Sequence, residues 1–246
     1  MFQSDFRVVR ALYYTNVLAT VAYLIAAGPS LAGVLLTAFV FFLMNPVGIA
    51  ITYHRYWSHR SFQFRHPALR WFCTFWAMAS GVGSIFGWVG VPRDHHRHYD
   101  EEGDPHLAAR GYLSMLLMRS YEYEPSPRKV IDLLRDPLLV KLHQHYFLVP
   151  LSYAATCFAI GGIDLLVAAF CAPAAISLIV QNTTNYWNHR QTDGYRPSNI
   201  GWINFLNFGD GWHRNHHDDP TNYTTSRGRH QIDPAGWVIR KVLTNG

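Results

Sequence analysis

The chain alternates long apolar stretches with strongly polar ones. Residues 11–27 and 31–53 contain no charged side chain, and 146–181 contains only Asp164. About 20 apolar residues cross the hydrocarbon core of a bilayer, so the first two stretches predict helices over 11–27 and 31–51. The third is long enough for a hairpin, which the glycine pair at 161–162 divides into spans near 146–160 and 165–181. The pattern predicts an all-α membrane protein with four transmembrane helices.

The basic residues indicate which helix ends face the cytoplasm. All 21 Lys and Arg residues fall outside the four predicted spans and the two tight turns that join them. By the positive-inside rule, both termini and the segment between the second and third spans are cytoplasmic. We expect residues 54–145 and 185–246 to form a cytoplasmic cap within a single domain, 1–246. The alternative, a soluble bundle with buried apolar helices, does not predict this asymmetry.

Three further features of the apolar segments lead to structural predictions. Residues 68–91 are apolar enough to cross a membrane, but four glycines and an arginine-rich flank on each side favour an interfacial or re-entrant element. Gly48 and Ala50 lie beside Asn45-Pro46, where the second helix can kink, and are candidates for lining a substrate tunnel. The three cysteines lack CxxC spacing and are expected to be packed and reduced.

Histidines are the candidate metal-binding residues, because most of the 14 fall in clusters at predicted helix ends on the cytoplasmic side. His213 and His217 are four residues apart, so both project from one helix face. His54 and His59 are five apart, about 140° on an ideal helix, so they cannot easily bind one ion unless the helix ends there, but they can reach two neighbouring ions. Eight convergent imidazoles exceed the needs of one ion and predict a dinuclear site. Four isolated histidines are expected to be surface or hydrogen-bonded residues: His66, His143, His145 and His230.

Four motifs together resemble the membrane-bound fatty acid desaturase and hydroxylase superfamily, of the acyl-CoA and acyl-lipid desaturase type. The motifs are HRYWSH at 54–59, RDHH followed by Asp100 and DPH at 93–106, NxxxH at 185–189, and HRNHH at 213–217. The resemblance covers roughly residues 31–220. It implies four transmembrane helices under a cytoplasmic histidine-rich cap. That cap would carry two non-haem iron ions, which use O2 and two electrons to remove two hydrogens from an acyl chain.

The resemblance also implies a ligand set. The implied iron ligands are His54, His59, His95, His96, His189, His213, His216 and His217. Asn185 is implied to reach iron through water. Four carboxylates are candidates for orienting the imidazole rings: Asp100, Asp104, Asp210 and Asp218.

The second motif departs from the family pattern at Pro92, which stands where a leading histidine is expected. Proline has no side-chain donor for a metal. The position is then open or water-filled, or it is taken by a neighbour such as His98. Alternatively, Pro92 caps a helix that begins near Arg93 and the metal site is degenerate.

Desaturation of an acyl or lipid substrate is the leading functional hypothesis. Hydroxylation or another C–H oxidation of an apolar or amphipathic metabolite is the first alternative. A non-catalytic lipid-binding membrane protein with a degenerate site is the second. No GxGxxG motif is present, so electrons are expected from a separate ferredoxin-like or cytochrome-type carrier. The net charge of +5 suits such a carrier or anionic membrane lipid, and a nucleic-acid partner is not favoured.

Overall fold

The computed structural model describes residues 3–118 and 126–245, and these form a mainly helical protein. The long elements are α1 Gln3–Ala27, α2 Leu31–Phe42 continued by a π-helical segment Leu43–Ser58, α3 Pro67–Ala79, α4 Ile85–His98, α7 Leu148–Leu166 and α8 Ala172–His189. A π-helical segment, Val167–Cys171, joins α7 to α8. The short helices are α5 Tyr112–Leu116, α6 Pro137–Gln144, α9 Gly201–Asn207, α10 His213–Asp218 and α11 Pro234–Val238, which π-helical Ile239–Leu243 extends. The remaining described elements are two 3₁₀ turns, Ala108–Arg110 and Pro127–Val130, and a two-stranded antiparallel pair, β1 Arg190–Gln191 with β2 Gly194–Tyr195.

Within the described residues, three helical stretches are long and apolar enough to cross a membrane. They are Phe6–Ala27, Leu31–Ser58 and Leu148–His189. The first two contain the predicted spans 11–27 and 31–51, and the third contains most of 146–160 and all of 165–181. Large apolar side chains point outward from them, with Leu18 68%, Ile25 82% and Ile160 75% exposed. Such surfaces suit contact with lipid.

The third stretch is broken at the predicted glycine pair. Gly161 (φ −135°, ψ 20°) and Gly162 (φ 62°, ψ −151°) both leave the helical region. The Tyr153 hydroxyl donates to the carbonyl of Ala169 at 3.2 Å. In an unbroken helix, residues sixteen apart would be about 24 Å apart, so the chain reverses and the part of α7 before Gly161 packs against the π-helical segment Val167–Cys171. Gly162 permits the reversal because its positive φ has little steric cost without a Cβ.

This reversal lies at the same end of the molecule as the turn between α1 and α2. The Tyr23 hydroxyl donates to Asp164 Oδ1 at 2.8 Å. The Thr37 hydroxyl of α2 donates to the carbonyl of Ala168, in the segment that follows α7, at 2.9 Å. The four helical segments therefore share one turn end, and the histidine motifs emerge at the opposite end.

Residues 68–91 form a helical hairpin instead of one continuous helix. α3 packs closely along the π-helical segment, because a Cβ on Gly48 would lie 2.5 Å from the backbone nitrogen of Ala77. The chain turns through Gly81 and Gly83, both with positive φ, and Ser84 caps α4 by accepting from the Gly87 amide at 3.1 Å. Gly48 thus permits this close packing, and its place in a substrate tunnel stays a prediction.

Two other expectations concern buried residues. Ala50 is fully buried, and it lines neither the apolar groove between the membrane helices nor the cavity beside the histidines. All three cysteines are buried and unpaired, as expected from their spacing. The apolar core that contains Ile49, Phe86 and Val89 lies between α4 and the π-helical segment and supports the histidine-bearing ends of both elements.

Candidate metal centre

The structure brings the eight histidines together in two groups of four. Group 1 is His54, His59, His96 and His216. Group 2 is His95, His189, His213 and His217. Within each group, one ring nitrogen from every histidine lies within 4.8 Å of the others. Each group therefore has the geometry of a site for one ion.

π-helical winding explains why His54 and His59 share a group. In this segment the backbone bonds run from residue i to i+5, and the amide of His59 donates to the carbonyl of His54 at 3.2 Å. Residues five apart therefore lie above one another, and the two ring centroids are 4.9 Å apart. The expected separation of about 140° applies to an ideal α-helix; here the helix ends at Ser58, which is the case in which the pair was expected to be able to bind one ion.

Helix geometry divides the other histidines between the groups. His95 and His96 are adjacent in the last turn of α4, so their side chains point about 100° apart and enter different groups. On α10, His213 and His217 enter group 2 as the four-residue spacing predicts, whereas His216 enters group 1. His189 completes group 2 from the end of α8.

The ring nitrogens converge at distances suited to metal ligands. In group 2, Nε2 of His189 lies 3.1 Å from Nε2 of His95 and 2.9 Å from Nε2 of His213. In group 1, Nε2 of His216 lies 3.0 Å from Nε2 of His96. Metal–nitrogen bonds of about 2.1 Å put neighbouring ligand atoms on one ion about 3 Å apart.

Two carboxylates fix the tautomers of two histidines of group 2. Asp104 Oδ1 lies 2.8 Å from Nδ1 of His95, and Asp100 Oδ2 lies 2.8 Å from Nδ1 of His189. When these carboxylates are ionised, each Nδ1 must carry the proton, so both Nε2 atoms of the neutral rings present lone pairs. Two lone pairs 3.1 Å apart repel each other unless a cation lies between them. This arrangement fits a bound metal ion.

The orienting role does not extend equally to all four candidate carboxylates. Asp210 lies 3.7 Å from Nδ1 of His54 and accepts from the fully buried guanidinium of Arg55 at 2.9 Å. Asp218 instead pairs with Arg227 on the surface, because it follows the last histidine of α10 and points outward. Asp218 is therefore the one carboxylate of the four that contacts no group histidine.

Burial favours the neutral form of several of the imidazoles. Burial first, and then nearby imidazoles with His54 foremost, lower the pKa of His96 to about 3. Burial likewise lowers the pKa of His59, His95 and His213 well below the ordinary histidine value. Neutral imidazole is the form that binds metals, and it suits iron, zinc, copper and nickel. Nε2 of His59 is buried without a hydrogen-bond partner, as a metal-facing atom would be.

Pro92 lies inside α4, whose first residue is Ile85. The interpretation of Pro92 as the cap of a helix beginning near Arg93 was therefore wrong, since Ser84 provides that cap well upstream. Pro92 is buried one turn before His96 and has no amide hydrogen to donate to the preceding turn. His98 is exposed and belongs to neither group, so it does not take the position that Pro92 leaves.

A small cavity of about 30 Å³ adjoins both groups and Pro92. Its lining residues are His54, Trp88, Pro92, His95, His96, His106, Gln181, Thr184, Asn185, Asn207, Asp210 and His213. This volume is enough for about two water molecules. Asn185, singled out by the NxxxH motif, is thus placed where a water could join it to a metal.

Besides Pro92, five residues of this lining were not among the predicted site residues: Trp88, His106, Gln181, Thr184 and Asn207. His106 belongs to the DPH motif, which could have suggested it, and burial followed by the nearby His189 lowers its pKa to about 3. Gln181 and Asn207 carried no motif signal, because they reach the cavity only through the packing of α8 and α9. The isolated histidines lie outside both groups: His66 caps α3, His143 bonds Ser84 Oγ at 2.7 Å, and His145 and His230 are exposed.

Comparison with known proteins agrees with the motifs. Residues 28–240 match the family model described as fatty acid desaturase. The chain is 28% identical over 226 residues to the sn-2 palmitoyl-lipid 9-desaturase of Nostoc sp. (strain 36), covering 86% of this chain and 78% of that protein. It is 29% identical over 228 residues to the human stearoyl-CoA desaturase 5, covering 83% and 68% respectively. A third relative is acyl-CoA desaturase 1 of Saccharomyces cerevisiae, 29% identical, with 84% of this chain and 43% of that protein covered. The chain belongs to the fatty acid desaturase family.

Proposed function

We propose that the chain is an O2-dependent desaturase of acyl chains that holds two iron ions, one in each histidine group. The observation that carries the metal assignment is the pair of opposed Nε2 lone pairs of His95 and His189, 3.1 Å apart and locked by two carboxylates. Family membership supports iron and oxygen chemistry over the other metals that imidazole accepts.

The reaction converts two adjacent methylenes, O2, two electrons and two protons into a carbon–carbon double bond and two waters. When bound, the two irons would supply the redox chemistry that couples oxygen reduction to removal of two hydrogens from the chain. The protein's own residues hold the rings in one tautomer through Asp100 and Asp104. Asn185 and the polar wall of the cavity would orient water beside the histidines.

The arrangement in the membrane follows from the hairpins. We infer four crossings, because the 42-residue stretch Leu148–His189 reverses at the glycine pair and returns its end to the histidine groups. The basic residues support a cytoplasmic cap and cytoplasmic termini. The hairpin of α3 and α4 would then be re-entrant, entering the membrane beside the second span and returning to the same face.

The vacant donor position at Pro92 is proposed to hold water. The cavity beside it has room for about two water molecules, and the exposed His98 is not available to replace the missing imidazole. Group 1 would then hold its iron with four histidines and one exchangeable position. The degenerate-site alternative predicts that this group has lost its metal.

The electron donor and acyl carrier belong to the same proposal. Electrons would come from a separate acidic carrier of the ferredoxin or cytochrome type, which the basic charge of the chain favours. Relatives named for lipid-bound and for CoA-bound substrates cover similar shares of this chain, so either acyl carrier is compatible with the comparison.

The test is expression in cells followed by profiling of their acyl chains. We expect new monounsaturated chains from the parent, none from His217→Ala, and parent-level product from His230→Ala, which changes an exposed histidine outside both groups. Separate analysis of the phospholipid and CoA pools identifies the carrier. Hydroxylated chains in place of unsaturated ones would instead support the hydroxylase alternative.

A second measurement tests the Pro92 assignment. Iron per chain is measured in purified parent, Pro92→His and His98→Ala. We expect one iron per group in the parent and in His98→Ala. If the parent holds fewer irons and Pro92→His restores both iron and activity, the open-position proposal is wrong and the degenerate interpretation stands.

A further inference from the structure

The helix α9 presents large apolar side chains outward although it belongs to the predicted cap. Its buried face carries Ile203, Asn204 and Asn207. On the other face, Trp202 is 52% and Phe205 is 87% exposed. Exposed apolar side chains that lie together mark an interaction surface more often than isolated ones do. This face of α9 is therefore a candidate interaction surface.

The C-terminal helix, which is α11 with its π-helical extension, continues this surface. The amide of Ala235 donates to the carbonyl of Phe208 at 2.9 Å, so this helix begins directly beside the end of α9. Ile232 is 70% exposed and Trp237 is 57% exposed. The exposed apolar side chains of these two helices and of the turn before the second form what we call the apolar patch: Trp202, Phe205, Leu206, Ile232 and Trp237.

Contacts with the predicted spans put α9 at the level of the membrane. Asn207 Oδ1 accepts from Asn45 Nδ2 at 2.9 Å and from Gln181 Nε2 at 3.3 Å. The ring of Phe208 lies 5.4 Å from the ring of Phe42. Asn45 and Phe42 lie inside the second predicted span, and Gln181 is the last residue of the fourth. At that depth the outward side of the molecule faces lipid, and so does the outward face of α9.

The C-terminal helix lies at the same level. Ala235 and Ile239 pack in one apolar cluster with Val47 and Ile51 of the second predicted span. Trp237 does not belong to that cluster and is exposed instead. Tryptophan is enriched where the acyl chains of a bilayer meet the head groups, and helices with one apolar exposed side lie in that layer. The helix therefore has the composition and the position of an interfacial element.

The charge of the same region suits anionic lipid. Arg240 and Lys241 are exposed on the C-terminal helix. Residues 220–246 contain four Lys or Arg residues and one acidic residue, Asp233, which is buried against Arg55. Basic side chains beside a membrane are attracted to the negatively charged head groups of the cytoplasmic leaflet.

We propose that the apolar patch is embedded in the cytoplasmic leaflet, with its aromatic side chains among the acyl chains and with Arg240 and Lys241 at the phosphates of anionic lipid. The occupant is the bilayer, because the patch continues the lipid-facing surface of the spans. The cap is then partly sunk into the membrane, and α9, whose Asn207 lines the metal cavity, separates that cavity from the leaflet. This inference rests on the proposed four-crossing topology and not on the desaturase reaction.

The depth of the patch is measured with spin labels on the full chain in nanodiscs of phosphatidylcholine and phosphatidylglycerol. All three native cysteines are buried, so a thiol-directed nitroxide reacts with one added cysteine. In Phe205→Cys and Trp237→Cys, we expect the label to collide more often with O2, which concentrates in hydrocarbon, than with a water-soluble nickel chelate. Glu101→Cys, in the exposed loop after α4, is the control and should show the reverse.

Two other results would overturn the proposal. Nickel access at both patch positions equal to that of Glu101→Cys would place the patch in water. Labels that neither reagent reaches would show that protein covers the patch. Two label positions guard against a variant that misfolds, which its elution from a sizing column reveals. None of these results depends on turnover, so the proposed reaction stands or fails separately.

The contact with head groups is tested with spin-labelled lipids. We expect the parent to immobilise labelled phosphatidylglycerol in preference to labelled phosphatidylcholine. Arg240→Gln combined with Lys241→Gln should lose most of this preference, because each basic side chain near the surface strengthens binding of anionic lipid about fivefold. Arg97→Gln combined with Arg196→Gln removes the same charge from exposed positions elsewhere in the cap and should keep the preference. An equal preference in all three proteins would overturn the contact with anionic head groups.

Discussion

Replacing Asp104 with Asn should weaken metal binding in group 2 specifically. The Asp104 carboxylate is fully buried and accepts three hydrogen bonds, each 2.8 Å long, from Nδ1 of His95 and from the amides of Asp100 and His106. Asn keeps the size but turns one acceptor into a donor and removes the charge. An N–H of the new side-chain amide then faces an N–H that had donated to the carboxylate, which costs about 1–3 kcal/mol of folding free energy.

The loss of the charged partner also reduces the basicity of His95 and frees its ring. Changes to such outer partners typically lower metal affinity about 10–100-fold, which corresponds to about 1.4–2.8 kcal/mol. Group 1 has no contact with Asp104 and should keep its affinity. The chain would therefore lose its two metals in separate steps rather than together.

The assay is iron retained per chain after dialysis against increasing chelator. We expect Asp104→Asn to release one metal at a chelator concentration about 10–100-fold below the parent's, and the other at the parental concentration. Asp218→Asn is the matched control, because Asp218 lies in the same cap but pairs with Arg227 at the surface. Release of both metals by Asp104→Asn at the parental concentration would refute the orienting role.

Two further substitutions test the scaffold. Gly48→Ala places a methyl group 2.5 Å from the backbone of Ala77. We expect the free energy of unfolding to fall by about 1–3 kcal/mol, seen as a lower thermal midpoint in detergent. Gly228→Ala is the control, because it adds a methyl group in open space and should leave the midpoint unchanged. Asp233→Ala removes the carboxylate that pairs with both terminal nitrogens of buried Arg55 at 2.8 and 3.2 Å. It should cost about 3–5 kcal/mol, seen as a lower midpoint or loss of folded protein, and an unchanged midpoint would contradict the importance of that pair.

The spacing of residues along the chain determined the elements on which the site is built. Charge-free runs set the long apolar helices, and a glycine pair marked the reversal between α7 and α8, because length, polarity and glycine content act locally. The four-residue spacing of His213 and His217 placed both in one group for the same reason. The histidine motifs likewise identified the family, since their order and internal spacing are properties of the chain itself.

Tertiary structure decided how those pieces combine. The π-helical winding that stacks His59 over His54 is not visible in residue spacing, which an ideal α-helix would convert to about 140°. Gln181 and Asn207 carry no local signature of proximity, since packing of distant segments brings them to one cavity. The absence of an imidazole at Pro92 was visible in the sequence. Only the fold showed that this position lies beside a cavity with room for water.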